Sequence, residues 1–324
     1  MITRVGVVGL GLIGGSLLRR LEVTAGGMTR ATGWDADAHT RVRVATAGLS
    51  VSTSLEELAA VSEVIFVAVP LPELSSVFAG IASLVDPAAV VTDLTSVKQP
   101  VRDLAATYDF TFVGGHPMAG SERSGFPAST SDLFADAAWV LTLDDGTDVA
   151  AWLEVAELIT SLGCRVVPCT SAEHDRAVAR VSHLPHVVAA ALTIGAADDP
   201  LALALAAGSF RDATRVAGTR PELIAAMCGG NAAAVDAELK AFVTRLQEAQ
   251  LLLRDPKRLA AWFAAAGSVR KEWPPVANGQ TGLVIDEHLP ARLLAAGRAG
   301  RQVTSINAGY VMVAMPSTDM PSTN

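Results

Sequence analysis

Three short stretches of the sequence contain side chains that could act together on a small polar substrate. His116 lies in "FVGGHPMAGSERSGF", Ser96 in "VVTDLTSVK" and Arg215 in "SFRDATRVAG". Imidazole has an ordinary pKa suited to proton transfer near neutral pH, and a guanidinium can hold a carboxylate through two parallel hydrogen bonds. These residue types are typical of an enzyme that binds a carboxylate and removes a proton. A loop histidine bonded to backbone and a helix-capping serine are the ordinary alternatives.

Other polar residues accompany Arg215 in a predicted helical region. Asp212 comes three residues before Arg215 and could orient its guanidinium, and Arg211 is predicted on the same helix face. His183 and His186 stand three residues apart in "ARVSHLPH". Since no acid or cysteine spacing supports a metal site there, core histidines are the simpler interpretation.

Both His116 and Ser96 are predicted to follow strands. The apolar run "FTFVGG" (110–115) precedes the histidine, and "AAVVTDL" (88–94) precedes the serine. Ligands of open parallel sheets bind beyond the carboxyl ends of the strands, so both side chains are expected at a ligand site. Lys98, slightly further along, is interpreted as a solvated residue of a surface helix.

A glycine-rich turn near the start of the chain predicts a dinucleotide site. "VGLGLIGGS" places Gly9, Gly11 and Gly14 in the GxGxxG spacing, directly after the predicted strand 4–10 and at the start of a helix. The first glycine permits a tight turn, the second lets the backbone approach a pyrophosphate, and the third lets helix and strand pack closely. A glycine turn without a ligand is the less favoured alternative.

Asp35 lies 21 residues beyond Gly14, at the end of the second predicted strand. A carboxylate at this position can accept both ribose hydroxyls and would repel a 2′-phosphate, which favours NAD over NADP. The neighbouring His39 and Arg41 are basic and leave some use of NADP open. Alternatively, Asp35 could simply be an ordinary turn-forming residue. The residues predicted to contact NAD are Gly9, Gly11, Leu12, Ile13, Gly14, Asp35 and Val69.

Apolar patterning predicts an α/β fold with an N-terminal Rossmann-type, doubly wound parallel sheet and a C-terminal all-helical domain. Short apolar runs such as "SEVIFVAVP" alternate with helical segments through the first part of the chain, and alanine- and leucine-rich helices then follow. The predicted domains are an NAD-binding domain (1–171), a helical substrate and dimerisation domain (172–275), and an extension of unclear role (276–324). The extension contains one weak predicted strand, 309–315.

Composition narrows the possible partners. The 324 residues carry 25 basic and 33 acidic side chains, a net charge of −8, and no basic cluster. This balance argues against a nucleic acid or an anionic membrane as partner. The sequence has three cysteines and no CxxC pair, which argues against a disulfide framework and a metal site. The N-terminus lacks the features of a signal peptide, so we expect a cytoplasmic protein.

As a set, five motifs identify a family. The sequence resembles the prephenate/arogenate dehydrogenases of tyrosine biosynthesis through "VGLGLIGGS", "DLTSVK", "GGHPMAGSERSG", "HDRAVARVSHLPH" and "SFRDATRVA". These motifs run from residue 5 to about residue 217. The resemblance implies an NAD-dependent oxidative decarboxylation of prephenate to 4-hydroxyphenylpyruvate.

The resemblance also implies roles for individual residues. His116 would accept the hydrogen bond, and then the proton, of the C4 hydroxyl, and Ser96 would help to hold that hydroxyl. Arg215 would bind a substrate carboxylate with Asp212 behind it, while His183 and His186 would lie near the substrate side chain or line the pocket. One departure is "PELIAAM", which lacks an expected tryptophan after "PEL".

Several alternatives stay open. Glu122 could favour the amino group of arogenate, making the protein an arogenate dehydrogenase, or it could only orient its loop. A β-hydroxyacid-type dehydrogenase would need a lysine base that the helical segments lack at an obvious position. A protein of another class, a catalytically silent NAD-binding sensor, is the third alternative. The helices are apolar on more than one face, which predicts a homodimer through the helical domain.

Overall fold

The computed structural model describes residues 2–24, 29–121, 123–273 and 276–317, without the side chains of 276–278 and 315–317. Glu122, which the sequence suggested as a substrate contact, lies outside the described residues. Its expected role therefore stays a prediction.

A five-stranded parallel sheet forms the first half of the chain. Its spatial order is β2-β1-β3-β4-β5, and the strands are β1 (Arg4–Val8), β2 (Arg30–Trp34), β3 (Val64–Val67), β4 (Val90–Asp93) and β5 (Thr111–Val113). The central strand β3 reads "VIFV" and is buried throughout, as expected for a strand with helices on both faces. The chain progresses from β1 to β2 on one side and to β3 on the other, which creates a crevice at the carboxyl ends of the strands. The predicted fold class is confirmed.

Within the described part of the first 161 residues, six α-helices are interspersed with the strands, and the last of them follows a strand of the second sheet described below. They are α1 (Leu12–Thr24), α2 (Ala38–Thr46), α3 (Leu55–Val61), α4 (Leu74–Ile81), α5 (Gln99–Ala105) and α6 (Val149–Ser161). Asp37, Ser54 and Asp148 cap α2, α3 and α6 by accepting hydrogen bonds from N–H groups of the first turn.

The later strands belong to a second sheet rather than to one continuous parallel sheet. Its order is β6-β7-β8-β10-β11-β9, and its strands are β6 (Gly115–Pro117), β7 (Ala138–Thr142), β8 (Arg165–Cys169), β9 (Val276–Val284), β10 (Gln302–Asn307) and β11 (Tyr310–Ser317). Only β7 and β8 pair in parallel. The predicted strand 110–115 thus divides at Gly114, where the chain leaves the first sheet and enters the second.

The C-terminal extension contains more structure than its sequence pattern predicted. It forms three strands and α14 (Leu289–Arg298), and Val303 of β10 pairs with Val166 of β8. Leu289 and Leu293 are fully buried in the same core as the N-terminal strands. Residues 276–317 therefore complete the second sheet of the nucleotide-binding half.

The remaining helices form the region between β8 and β9. They are α7 (Ser171–Val178), α8 (Leu184–Ala197), α9 (Pro200–Leu205), α10 (Gly208–Thr214), α11 (Pro221–Gly230), α12 (Ala232–Leu252) and α13 (Pro256–Glu272). A π-helical turn, Ala179–His183, joins α7 to α8, and a 3₁₀ turn, Arg215–Gly218, joins α10 to α11.

One helical run in this region, Ser171–Ala197, is long and apolar enough to cross a membrane by length and composition alone. It nevertheless carries His174, Asp175 and His183, which are buried and hydrogen-bonded within the fold. Length and composition alone are therefore weak evidence that this run spans a membrane. The run ends after α8, and the side chain of Asp199 caps the next helix, α9.

Candidate active site

The glycine-rich turn has the geometry that a dinucleotide pyrophosphate requires. Gly9 adopts a φ of +89°, which other residues rarely adopt. A Cβ on Gly14 would lie 1.9 Å from the carbonyl oxygen of Gly9, so only glycine permits this packing. A Cβ on Gly11 would meet no atom within 4 Å, so the backbone there faces open space. The turn offers an uncovered backbone surface at the start of α1.

Asp35 is fixed beside this turn by backbone groups. Its Oδ2 accepts a hydrogen bond from the Leu10 N–H at 2.7 Å, and its Oδ1 accepts one from the Asp37 N–H at 2.9 Å. Each carboxylate oxygen keeps a further lone pair for a ligand hydroxyl. Arg41 donates to the carbonyl oxygens of Asp35 and Ala36 and is thereby held by the backbone.

One cavity of about 1010 Å³ connects the glycine turn to the helical region. Its size matches the upper end of small-molecule and cofactor sites. Most of the residues predicted from the sequence line it: Gly9, Gly11, Leu12, Ile13, Asp35, Val69, Ser96, His116, His186 and Arg215. The open backbone at Gly11, the fixed carboxylate of Asp35 and the cavity between them fit a dinucleotide.

His116 is the first of three side chains joined in a line. Its Nδ1 lies 2.8 Å from Nε2 of His174, and Nδ1 of His174 lies 2.7 Å from Oδ1 of Asp175. A carboxylate only accepts, so His174 donates from Nδ1 and its Nε2 accepts when the ring is neutral. His116 must then donate from Nδ1. This network assigns to Nε2 of His116 a free lone pair at the cavity.

The protonation of both histidines is set by their surroundings. Burial holds the pKa of His116 well below its usual range, and the charges of His174 and Lys98 act in the same direction. Burial also lowers the pKa of His174, although its hydrogen bond to Asp175 opposes that shift. The neutral form of His116, the form that can accept a proton, therefore persists to acid pH.

Lys98 is buried at the centre of this site, which corrects the expectation of a solvated surface residue. Only 1% of it is exposed, its Nζ pairs with the Asp93 carboxylate, and it donates to the Gly115 carbonyl oxygen at 2.5 Å. Asp93 also accepts from the Gly115 N–H at 3.1 Å. The ion pair therefore holds both polar backbone groups of Gly115, the residue immediately before His116.

Gly115 must be a glycine for this arrangement to form. A Cβ there would lie 2.6 Å from the Asp93 carbonyl oxygen and 2.9 Å from Oγ1 of Thr92. The close approach of β6 to the end of β4 brings the Gly115 carbonyl oxygen within reach of the buried lysine.

Asp175 also caps a helix that is distant from it in sequence. Its two carboxylate oxygens accept the N–H groups of Lys98 and Gln99, at 2.8 and 2.9 Å, at the start of α5. The capping role considered for Ser96 is therefore performed by Asp175. Ser96 is half-buried and lines the cavity instead.

The π-helical turn separates the two predicted histidines. A π turn holds an extra residue, which changes the direction of the side chains that follow it. His183 is fully buried and its Nδ1 lies 3.2 Å from Nδ2 of Asn231, whereas His186 lines the cavity with its Nδ1 3.2 Å from the carbonyl oxygen of Val216. His183 is therefore not a pocket-lining residue, contrary to one expectation.

Arg215 reaches the cavity without the support expected from its helix neighbours. The α-helix ends at Thr214 and the chain continues as a 3₁₀ turn, so the spacing that would align Asp212 and Arg211 with Arg215 is lost. Asp212 and Arg211 are exposed, and neither lines the cavity. No hydrogen bond joins Asp212 to Arg215 in the described part of the chain, which corrects the expected pairing.

Sequence reasoning missed several residues of the site: His174, Asp175, Lys98, Arg123 and Arg220. The first two occur within the quoted motif "HDRAVARVSHLPH". Adjacent His and Asp residues just after the capping box of Thr170 and Glu173 were an available signal. Arg123 and Arg220 line the cavity from separate loops, and their spacing gave no comparable signal. Within the described ranges, no group of three His, Cys, Asp or Glu side chains could hold a metal ion.

Comparison with known proteins gives two adjacent family matches. Residues 22–168 match the model of the prephenate dehydrogenase nucleotide-binding domain, and residues 170–264 match that of the prephenate dehydrogenase dimerization domain. Prephenate dehydrogenase of Bacillus subtilis is 33% identical over 227 residues, which cover 67% of this chain and 61% of that protein. The chain thus spans less than two thirds of the length of that relative.

Solved structures agree with these matches. The crystal structure of a candidate prephenate dehydrogenase from Corynebacterium glutamicum has a TM-score of 0.85 and 34% identity, covering 94% of this chain and all of that one. Prephenate dehydrogenase of A. aeolicus, in complex with hydroxyphenyl propionate and NAD+, has a TM-score of 0.78 and 26% identity, covering 84% and 98%. Other relatives are named cyclohexadienyl dehydrogenase and arogenate dehydrogenase.

Proposed function

We propose that this chain, which belongs to the prephenate dehydrogenase family, catalyses the NAD-dependent oxidative decarboxylation of prephenate to 4-hydroxyphenylpyruvate. The observation that carries the proposal is the free Nε2 lone pair of His116, which shares one cavity with the open backbone of Gly11. A proton acceptor and a dinucleotide cradle in one cavity are the two parts that an alcohol dehydrogenation needs.

The atoms of the reaction balance without an added base or acid. C4 of prephenate loses a hydride, its hydroxyl becomes a carbonyl, and the hydroxyl proton passes to an acceptor. The C1–carboxylate bond then breaks, CO2 leaves, and the bonding electrons make the ring aromatic. The phenolate oxygen takes the proton back. Bound NAD+ supplies the hydride acceptor, and the protein must orient the ring and hold one proton.

His116 is the group that holds this proton. Its Nδ1–H donates to His174, so Nε2 accepts the hydrogen bond of the C4 hydroxyl and then its proton. The Asp175 carboxylate fixes the tautomer of His174 and stabilises positive charge as His116 becomes protonated. Ser96, on the same cavity wall, would hold the C4 oxygen from a second direction.

Arg215 is the proposed carboxylate-binding residue. Its guanidinium lines the cavity, and its charge helps to lower the pKa of His186, although burial is the larger cause. His186 is neutral and does not compete with the Arg215 guanidinium for the substrate carboxylate. Asp212 is not proposed as its partner, because that carboxylate lies outside the cavity.

NAD is the proposed cofactor because Asp35 lies at the glycine turn with both of its oxygens facing N–H donors. A fixed carboxylate accepts ribose hydroxyls and repels a 2′-phosphate. Arg41, the nearby cation that could favour NADP, is bonded to backbone carbonyl groups. The NAD+ complex of the A. aeolicus relative supports the same assignment.

A homodimer through the helical region is proposed from its exposed apolar side chains. Leu201, Leu205, Leu251 and Phe263 are each more than half exposed. Isolated apolar residues are ordinary on protein surfaces, but several large exposed apolar side chains in one helical region favour an interface. The match to a dimerization domain supports this assembly, and a cytoplasmic location fits a biosynthetic enzyme of this family.

One assay distinguishes the proposed function from the two alternatives, an arogenate dehydrogenase and a silent NAD-binding sensor. Purified protein would be given prephenate or arogenate with NAD+ or NADP+, and formation of the reduced cofactor would be followed. Turnover of prephenate with NAD+ is the expected result, whereas faster turnover of arogenate would identify the amino acid as the substrate. Binding of NAD+ without turnover of either compound would favour a silent sensor and would overturn the proposal.

A further inference from the structure

The chain between β6 and β7 contributes one wall of the cavity. Residues 118–121 and 123–125, which we call the cavity loop, line the same space as His116. The start of the cavity loop is fixed to the second sheet, because the Met118 N–H donates to the carbonyl oxygen of Ala138 at 2.8 Å. The position of this wall therefore depends on what holds the other end of the loop.

The other end of the cavity loop is seated on α1, the helix that begins at the glycine turn. Phe126 directly follows the loop, and only 5% of it is exposed. A Cβ on Gly15 would lie 2.8 Å from Cδ2 of Phe126 and 3.1 Å from Cβ of Ser129. The Phe126 ring therefore occupies the room that glycine leaves on the surface of α1. Gly125 turns the chain into this contact with a φ of +76°, a backbone conformation that favours glycine.

Polar side chains of α1 hold the same end of the loop. The fully buried Oγ of Ser16 accepts a hydrogen bond from the Thr130 N–H at 3.0 Å. Nε of Arg19 donates to Oγ of Ser129 at 2.9 Å, and this hydroxyl donates to the carbonyl oxygen of Phe126 at 2.6 Å. The guanidinium carbon of Arg19 also lies 4.5 Å from the centre of the Phe126 ring, within the range of a cation–π contact. Arg19 thus contacts both a ring and a hydroxyl of the segment that ends the loop.

One helix therefore carries both the dinucleotide cradle and the support of the cavity loop. Gly15 and Arg19 are four residues apart, so they lie on the same face of α1. The Gly15 N–H donates to the carbonyl oxygen of Gly11 at 3.0 Å, which joins the loop contact to the turn whose backbone faces the cavity. The geometry of α1 thus sets the position of the loop wall relative to the cofactor turn.

We infer that Arg19 and Phe126 are positioning residues for substrate binding, because they fix the cavity loop to the cofactor-binding helix before prephenate arrives. The inference rests on the proposed function, in which prephenate binds beside His116. Arg19 and Phe126 lie outside the cavity lining, so they act through the loop. A loop without this anchor must be ordered when the substrate binds, and that entropic cost lowers affinity without changing the chemistry of the bound state.

The test compares Arg19→Gln with the matched control Arg20→Gln. Both arginines are half-buried residues of α1 and donate from Nε to an oxygen, but the partner of Arg20 is the carbonyl oxygen of Leu162, just after α6. Arg19→Gln should raise the prephenate KM about fivefold, while kcat and the Kd for NAD+ change less than about twofold. Arg20→Gln should leave all three constants near the wild-type values. An unchanged prephenate KM in Arg19→Gln, or an equal rise in Arg20→Gln, would overturn the inference.

Phe126→Leu tests the ring separately and replaces Arg19→Gln if that variant does not fold. It keeps an apolar side chain in the room left by Gly15 but removes the aromatic face that Arg19 contacts. We expect the prephenate KM to rise about threefold. In the double variant, KM should rise by less than the product of the two single effects, because the two side chains contact each other. Effects on KM that multiply exactly would show that the two residues act independently, contrary to the inference.

A measurement without turnover separates failure of the inference from failure of the proposed function. Arg123 is an exposed residue of the cavity loop and a cleavage site for trypsin. Cleavage of the native protein after Arg123, followed by mass spectrometry of the fragments, should be at least about threefold faster in Arg19→Gln than in the wild type and unchanged in Arg20→Gln. If the wild type oxidises neither prephenate nor arogenate, the proposed function fails, whatever the cleavage rates. If prephenate is oxidised and Arg19→Gln changes neither cleavage nor KM, only the inference fails.

Discussion

The two ends of the cavity differ in how their polar groups are held. At the His116 end, His174, Asp175, Lys98 and Asp93 are almost completely buried, and each is bonded to another residue. At the other end, the arginines that line the cavity are exposed and carry no bond from their guanidiniums to a described residue. The first end is preorganised for proton transfer before substrate arrives, whereas the second acquires its partners from the substrate.

This difference has a physical basis. A base must present one tautomer at one position, and buried bonds supply that precision because an unmade bond there is costly. A guanidinium that recognises a carboxylate needs only to remain charged and within reach. Substitutions at the His116 end should therefore reduce kcat, and substitutions at the arginine end should raise KM.

The largest expected effect comes from removing the proton acceptor. His116→Asn should lower kcat roughly 10²–10⁴-fold, because the loss of a positioned base typically has an effect of that size. The affinity for NAD+ should stay close to that of the wild type, since the glycine turn and Asp35 lie elsewhere in the cavity. Steady-state kinetics and NAD+ titration measure the two quantities, and a near-normal kcat would remove His116 from the mechanism.

A slightly smaller effect should follow from disturbing the line of side chains behind His116. Asp175→Asn can place an amide N–H toward His174 and favour the wrong tautomer of both rings, so kcat should fall about 10²-fold. The substitution also weakens the cap of α5, because Asp175 accepts from Lys98 and Gln99. Asp212→Asn, at an exposed position outside the cavity, is the control.

Circular dichroism and thermal unfolding must accompany that kinetic measurement. A folded Asp175→Asn enzyme with slow turnover and an unchanged prephenate KM would support a positioning role. A variant whose loss of activity parallels a loss of folded protein would show that Asp175 acts only as a helix cap.

The sequence located the glycine turn and the acidic residue after β2 because these signals are local. The glycine spacing and the residue after β2 are fixed by a turn within one βαβ unit, so Gly9, Gly14 and Asp35 could be placed without tertiary information. Ser96 follows β4 as expected, whereas His116 lies within the short strand β6 of the second sheet rather than in a loop after β5. The neighbours of these two residues were not predicted, because Lys98 and Asp175 contact each other across 77 residues of sequence, and no periodic pattern encodes such a contact.

Two other differences between prediction and structure have specific causes. The π turn at 179–183 cannot be read from helical spacing, and it turns His183 away from the pocket. The α-helix changes to a 3₁₀ turn at Arg215, so the side chains of Asp212 and Arg215 do not have the α-helical spacing that the sequence predicted. The sequence predicted one strand after residue 275, whereas the structure has three, β9, β10 and β11. These strands pair with one another and, through β10, with β8, and the strand propensity of a single segment does not predict such pairing.

At the arginine end, the expected effect is on KM. Arg215→Ala should raise the prephenate KM about tenfold or more with a smaller change in kcat, since the lost contact is to a ground-state carboxylate. Arg211→Ala, four residues earlier and outside the cavity, should leave both constants close to the wild-type values. Initial-rate kinetics over a range of prephenate concentrations checks this, and an unchanged KM in Arg215→Ala would exclude Arg215 from substrate binding.

The smallest expected effect concerns pH, and it tests how completely the His116 end is preorganised. His116 is active when unprotonated, and burial together with His174 and Lys98 holds its pKa well below 6.5. Lowering the pH from 8 to 6.5 therefore should not protonate it, and kcat should change less than about twofold over that interval. The decline should begin only at more acidic pH, where His116 finally binds a proton. An inflection in kcat at or above pH 6.5, in protein that circular dichroism shows to be folded, would mean that His116 is solvated like an ordinary loop histidine, and the contrast between the two ends of the cavity would disappear.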